Sequence, residues 1–185
     1  MALEEMQSQL NATNGPRVKA EKFDEFIKEH DVRGFHKEEY DDQFRTVIYY
    51  SGLQAGGQQQ YVQVLLNDSI YGVIKVLVGH KVLTEENKGR VLEYINGLNE
   101  RLEAFKYVAT QDGHLELKCS LVADEAHFDP ELILVMLLNV IQPHLEDVYK
   151  RQCLHYLPAA IWPVIRPRGK SSIDRLLVKN RAYLL

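Results

Sequence analysis

The chain has 185 residues, 45% of them hydrophobic, and a formal net charge of −4. That length suits one domain with its own core, which needs neither disulfides nor a structural metal. The charge is divided: residues 1–152 carry −9 and residues 153–185 carry +5, so the body repels phosphate backbones and anionic membrane surfaces. Nucleic-acid and membrane binding are disfavoured, and a basic or amphipathic protein partner fits better.

Residues 1–16 are polar, with acids near the start and no continuous apolar run. They are expected to form a flexible leader, neither signal peptide nor membrane anchor. A helix is expected from Arg17 to about His30, because Phe23, Phe26, Ile27 and His30 recur at helical spacing between charges. The stretch DVRGFHKEEYDD then reads as a loop. Three strands follow in QFRTVIYYSGL, QYVQVLLND and SIYGVIKVLVG, separated by a Gly-Gly turn and by a tight turn at Asn67-Asp68.

Thr84 is placed to cap a helix whose apolar stripe is Val91, Leu92, Ile95, Leu98 and Leu102. AFKYVAT and HLELKCSLV form a hairpin about Asp112-Gly113, with Leu115, Leu117, Cys119 and Leu121 alternating with polar residues. Asp129-Pro130 marks the start of the last helix, an N-cap followed by proline at the first helical position. The expected fold class is α+β, in the order α-β-β-β-α-β-β-α, with five strands in one antiparallel sheet and helices packed against it.

The last helix, PELILVMLLNVIQPHLEDVYK, is apolar on nearly every face from Leu132 to Ile141. A dimer contact through Leu134, Leu137, Leu138 and Ile141 is expected from that all-round apolarity. Pro143 lacks an amide hydrogen and crowds the preceding turn, so a kink is expected near Asn139 to Gln142.

From about Arg17 to Tyr149 the chain resembles the YbjN family, which shares the fold of type III secretion chaperones. The element order carries the resemblance, together with VLEYINGLNERLEAFKYVATQDGHLELKCSLV and FDPELILVMLLNVIQPHLEDVY. It implies a small cytoplasmic bacterial protein, chaperone-like or regulatory, that binds protein and lacks an established catalytic site. No functional residue is carried over. Asn96 and Asn99 are expected to fix their helix to the following strand by side-chain bonds to backbone.

No catalytic constellation is visible, so a non-enzymatic binding module is the leading reading. A small-ligand or stress sensor, or an enzyme whose site is not visible in sequence, is the alternative. His30, His36, His80, His114, His127, His144 and His155 stand far apart, without HExxH or CxxC spacing, so neither metal nor cofactor is expected. Gly79-His80-Lys81 could hold an anion before a helix start but lacks the glycines of a phosphate loop. The acids of KEEYDD, residues 37–42, lack calcium-loop spacing and read as a solvated loop or a docking patch for a basic partner. Cys119 and Cys153 are the only cysteines, and Cys119 falls at an inward strand position. A reducing cytoplasm follows, and the sequons at Asn11 and Asn67 read as chance.

Asp147-Val148-Tyr149-Lys150-Arg151-Gln152 matches, codon by codon, one reading frame of the transposon mosaic end GATGTGTATAAGAGACAG used in sequencing-library preparation. On this reading the gene is joined to adapter inside its last helix. The proline-rich, basic, unpatterned residues 153–185 are then expected to be an unstructured or spurious tail. The domain proper is assigned to residues 17–152.

Overall fold

The computed structural model describes residues 17–153. The expected leader at 1–16 and residues 154–185 of the tail lie outside the described residues. Helix α1 spans Val18–Glu29, followed by strands β1 (His36–Glu39), β2 (Val47–Ala55), β3 (Gln58–Leu66) and β4 (Tyr71–Gly79). Helix α2 (Lys88–Asn99) leads to β5 (Lys106–Ala109) and β6 (Leu115–Val122). The last helix comprises α3 (Glu131–Val135), a π-helical segment (Met136–Ile141) and α4 (Gln142–Cys153). The fold is α+β, with one six-stranded sheet in the order β1-β2-β3-β4-β6-β5 and every pairing antiparallel.

The sixth strand, β1, lies inside the stretch expected to be a loop. Its sequence HKEE carries no β-branched residue and no Phe, Tyr or Trp, so nothing local marks it. It forms because its backbone pairs with Val47–Tyr50 and its side chains are tied to α1. The Lys37 ammonium donates to Asp24 at 2.8 Å and meets Glu39 at 2.8 Å, and Glu39 also pairs with Arg17.

Inward residues of the strands alternate as expected: Val47, Tyr49 and Leu53; Val62, Val64 and Leu66; Ile74 and Val76; Leu115, Leu117 and Cys119 are all buried. Phe23 of α1, Val91 and Ile95 of α2, and Ile133, Leu137, Ile141 and Leu145 of the last helix join them in one core. Phe23 sets its ring edge-on to Tyr49 at 4.9 Å. The Tyr49 hydroxyl donates to the Ala20 carbonyl at 3.0 Å and to Asp24 at 2.8 Å. The buried Lys19 ammonium donates to the carbonyls of Ser69 and Tyr71, clamping α1 to the β3–β4 turn.

The turns differ in chemistry. Gly56 and Gly57 both have positive φ, 59° and 77°, which fits the primed hairpin turn between β2 and β3. The tight turn expected at Asn67-Asp68 is present without positive φ and is held by a side chain: Asn67 Oδ1 accepts from the Ser69 amide at 3.1 Å and hydroxyl at 2.6 Å. Thr84 caps a turn that feeds α2, through a reciprocal pair in which Asn87 Oδ1 accepts from the Thr84 amide and Thr84 Oγ1 from the Asn87 amide. The regular helix starts only at Lys88, and Leu92 of the expected apolar stripe faces solvent.

The last helix also corrects expectation. The disruption expected at Asn139 to Gln142 takes the form of a π-helical segment, where the Gln142 amide donates back to the Leu137 carbonyl. Leu137 and Ile141 are 4% and 0% exposed within this one chain, so they are core and not surface for a second copy. Leu138 is 49% exposed and Leu134 half-buried. The π turn places Leu137 and Ile141 inward, and the all-round apolarity of the sequence hides which side that is.

Two carboxamides close the sheet edges. Asn99 Nδ2 donates to the Tyr107 carbonyl at 3.0 Å and Asn99 Oδ1 accepts from the Tyr107 amide at 2.8 Å. The side chain thereby replaces a strand partner on edge strand β5, the role expected of it. Asn96 makes no such pairing with the strand among the described residues, and it is exposed. On the other edge β1 covers only the first half of β2, and Gln142 Nε2 donates to the Gln54 carbonyl at 2.7 Å in the uncovered half. Asn99→Leu removes both side-chain bonds to the backbone of the buried Tyr107, and about 1–3 kcal/mol of stability is expected to be lost in denaturant unfolding. Asn96→Leu is expected to change stability by less than about 0.5 kcal/mol.

Candidate functional site

Because the helices share one core with the inward strand residues, the alternate residues face away from it. Ile48, Leu65, Val73 and Leu77 on this outer face are half-buried, and none packs against the core. Register brings Ile48, Leu65 and Val73 side by side across β2, β3 and β4. Next to that row runs an aromatic one: His36 stacks on Tyr50 at 6.4 Å and Tyr50 lies 5.8 Å from Tyr61. Tyr40 donates to Glu38 at 2.8 Å and its hydroxyl meets that of Tyr50 at 3.1 Å. Burial, then the Tyr40 and Glu38 contacts, raise the Tyr50 hydroxyl well above the usual phenol range, so it stays protonated.

Toward the other end of the face lies a depression of about 210 Å³ lined by Tyr61, Gln63, Lys75, Leu77, His80, His114 and Glu116. Leu77 sits between Tyr61 and Glu116 in the register, and Lys75 between Gln63 and Lys118. A register shift between Leu77 and Gly79 breaks the ladder here. Such bulges re-aim the side chains that follow them, and His80 comes to lie with its ring 4.7 Å from that of His114.

His114 is held from two sides. Its amide donates to Thr110 Oγ1 at 3.0 Å, and its Nδ1 accepts from the Lys81 amide at 3.0 Å. The neutral ring therefore carries its proton on Nε2. The hairpin turn beneath it packs on the β4–α2 loop, where the Gly113 carbonyl accepts from the Leu83 amide at 3.0 Å. Gly113 is required: its φ is 82°, and a Cβ would stand 3.2 Å from the Leu83 carbonyl oxygen. His80 is pushed below the ordinary imidazole value, first by desolvation, then by His114 and Lys81.

Lys75 and Lys118 are direct cross-strand neighbours, an arrangement that repels. Glu116 pairs with Lys118 at 3.3 Å, and among the described residues no carboxylate stands within ion-pair distance of Lys75.

The sequence candidates fare unequally. Of Gly79-His80-Lys81, His80 lines the depression and Lys81 holds His114 through its backbone. The KEEYDD acids are mostly occupied: Glu38 with Tyr40, Glu39 with Arg17 and Lys37, and Asp42 with the Thr46 amide and hydroxyl. That leaves little of a docking patch for a basic partner. Among the described histidines only His80 and His114 meet each other; His144 contacts Tyr107 at 2.9 Å and His127 contacts Asp124 at 2.7 Å. His155 lies outside the described residues. No group of three or more potential metal ligands converges among the described residues. Cys119 is a free, buried thiol whose pKa burial raises.

Lys75, Lys118, Tyr61 and Gln63 were not legible as a site, because only strand register puts them together. The signal available was the outward alternation of YVQVL and VIKVL, which carries tyrosine, glutamine and lysine where a solvated face is expected. No family model and no curated protein matches the chain. Among the described residues no helix is long and apolar enough to cross a membrane.

A depressed imidazole binds its proton more weakly folded than unfolded. Its contribution to stability is complete above the free value of 6.5 and is lost as pH falls through the lower folded value. His80→Gln is therefore expected to flatten the decline of the thermal midpoint between about pH 7 and about pH 5.5. The effect is modest, since the ring is exposed, and melting curves of the two proteins across that range provide the check.

Proposed function

We propose that the protein is a non-enzymatic binding module whose outer sheet face receives an amphipathic segment of a partner polypeptide, in the manner of a chaperone-like or regulatory protein. The observation that carries this reading is a half-buried apolar and aromatic face, Ile48, Leu65, Val73, Tyr50 and Tyr61, over which no helix packs among the described residues. Aromatic rings with polar tips are suited to protein contacts. With Asn99 and Gln142 occupying backbone positions at the edges, the face is a better docking surface than the rims. The observed element order, apart from the added β1, agrees with the resemblance to the YbjN family, and a reducing cytoplasm suits the free Cys119. Self-association through the last helix rests on Leu138 with Leu134 four residues before it.

The reading of a small-ligand sensor is favoured by one observation, the depression beside Leu77 with its converging polar groups.

Photo-crosslinking in the cells of origin tests the docking reading. A photoreactive residue at Leu65 is expected to give discrete polypeptide adducts that one at Glu93, on the exposed side of α2, does not. Tyr50→Ala is expected to reduce the Leu65 adducts several-fold while leaving the fold intact by circular dichroism. Equal adducts at both positions, or none at Leu65, would count against the proposal.

A further inference from the structure

We propose that the depression around Leu77 binds a small oxyanion, a phosphate or carboxylate group, through Lys75 and the Nε2 hydrogen of His114. This goes beyond docking of a polypeptide and does not rest on it.

Three features support it. The first is an uncompensated charge. Lys75 faces Lys118 directly across β4 and β6, and Glu116, the one carboxylate lining the depression, is engaged by Lys118 at 3.3 Å. Like charges directly opposite each other destabilise a sheet, and an anion beside Lys75, which lines the depression while Lys118 does not, offsets that repulsion. In a body of net charge −9, a lysine pair with so little acid around it is a local reversal.

The second is the supply of donors. With Nδ1 of His114 engaged by the Lys81 amide at 3.0 Å, a neutral ring has only its protonated Nε2 left for a ligand. Tyr61, whose hydroxyl burial holds above the ordinary phenol value against a side-chain bond from Gln63, remains a donor at neutral pH. Apart from Glu116, these groups can donate to an oxyanion, whereas a cation would meet Lys75 and the imidazoles.

The third is the way the site is built. The ladder shifts register between Leu77 and Gly79, Lys81 adopts a φ of 49°, and Gly113 one of 82°. These features bring His80 and His114 together over Leu77. The groups facing His80 are His114 from the β5–β6 turn, Glu116 from β6, Lys75 from β4, Tyr61 from β3 and its neighbour Lys81. An anion beside it favours its imidazolium form. Binding is therefore expected to strengthen below neutral pH, with proton uptake at His80.

The test uses the full chain with inorganic phosphate in one arm and acetate in the other, at ionic strength held constant with sodium chloride. Thermal midpoints are read at neutral pH and at one pH unit lower, alongside imidazole proton shifts by NMR. A saturable rise in the midpoint with either anion is expected, larger at the lower pH, with His80 and His114 resonances moving together. The arm that saturates at lower concentration identifies the tetrahedral or the planar class. Lys75→Gln is expected to melt no lower than the parent without ligand, since it removes a like-charge contact, and to lose at least about tenfold in apparent affinity. A purely structural lysine would show the opposite, a lower midpoint with the anion response kept. Should Lys75→Gln not fold, the parent titration alone decides: a response no greater than that to sodium chloride, or shifts that never saturate, overturns the proposal. Failure here leaves the docking reading standing, because no partner polypeptide is present.

Discussion

The helices bury their apolar stripes on one side of a single sheet, and the positions of the remaining features follow from that one-sided packing. Each of Phe23, Ile95, Ile133, Ile141 and Leu145 is removed from water against the inward face, at about 1.5–3 kcal/mol for a side chain of that size. Inward alternation on the strands, Val62, Val64 and Leu66 on β3 for example, is satisfied by the same contact. The opposite alternation, Tyr61, Gln63 and Leu65, is then left without a covering layer among the described residues. A sheet of this kind usually wets its outer face with polar residues; this one places Ile48, Leu65, Val73 and Leu77 there among tyrosines and lysines.

Polar contacts decide how the layers align. Tyr49 is the clearest case, with its ring in the core and its hydroxyl shared between the Ala20 carbonyl and Asp24. Asp24 in turn receives Lys37, so α1, β1 and β2 are joined through one carboxylate. Lys19 performs the same service at the β3–β4 turn, where burial lowers its proton affinity while nearby Glu125, Asp68 and Asp124 oppose that shift. Asn99 and Gln142 close backbone groups at the rims by mimicking a strand. Edges treated in this way resist pairing with another chain, which turns attention to the face.

Most of the framework was legible in the sequence because its signals are local. Alternation in HLELKCSLV, the Gly-Gly turn and the Asp129-Pro130 start each act within a few residues, and each appears where expected; Asp129 accepts the Glu131 amide at 3.0 Å. β1 was missed because HKEE gains its strand state from partner residues outside its own stretch, Val47 to Tyr50. The sidedness of the last helix was hidden for a related reason: with apolar residues all round, only tertiary packing selects Leu137 and Ile141 for the core and leaves Leu138 outside. The candidate depression was least visible. Its groups come from β3, β4, the loop after β4, the β5–β6 turn and β6, and their meeting depends on a register shift that no single stretch of sequence announces.

The bare outer face is the central claim, and solvent paramagnetic relaxation of methyl groups in the full chain measures it directly. Methyls of Ile48, Leu65, Val73 and Leu77 are expected to relax strongly with a neutral soluble paramagnet, while those of Val47, Val64, Ile74 and Val76 stay protected. Equal protection of the two sets would mean that the face is covered in the isolated protein, and would contradict the account.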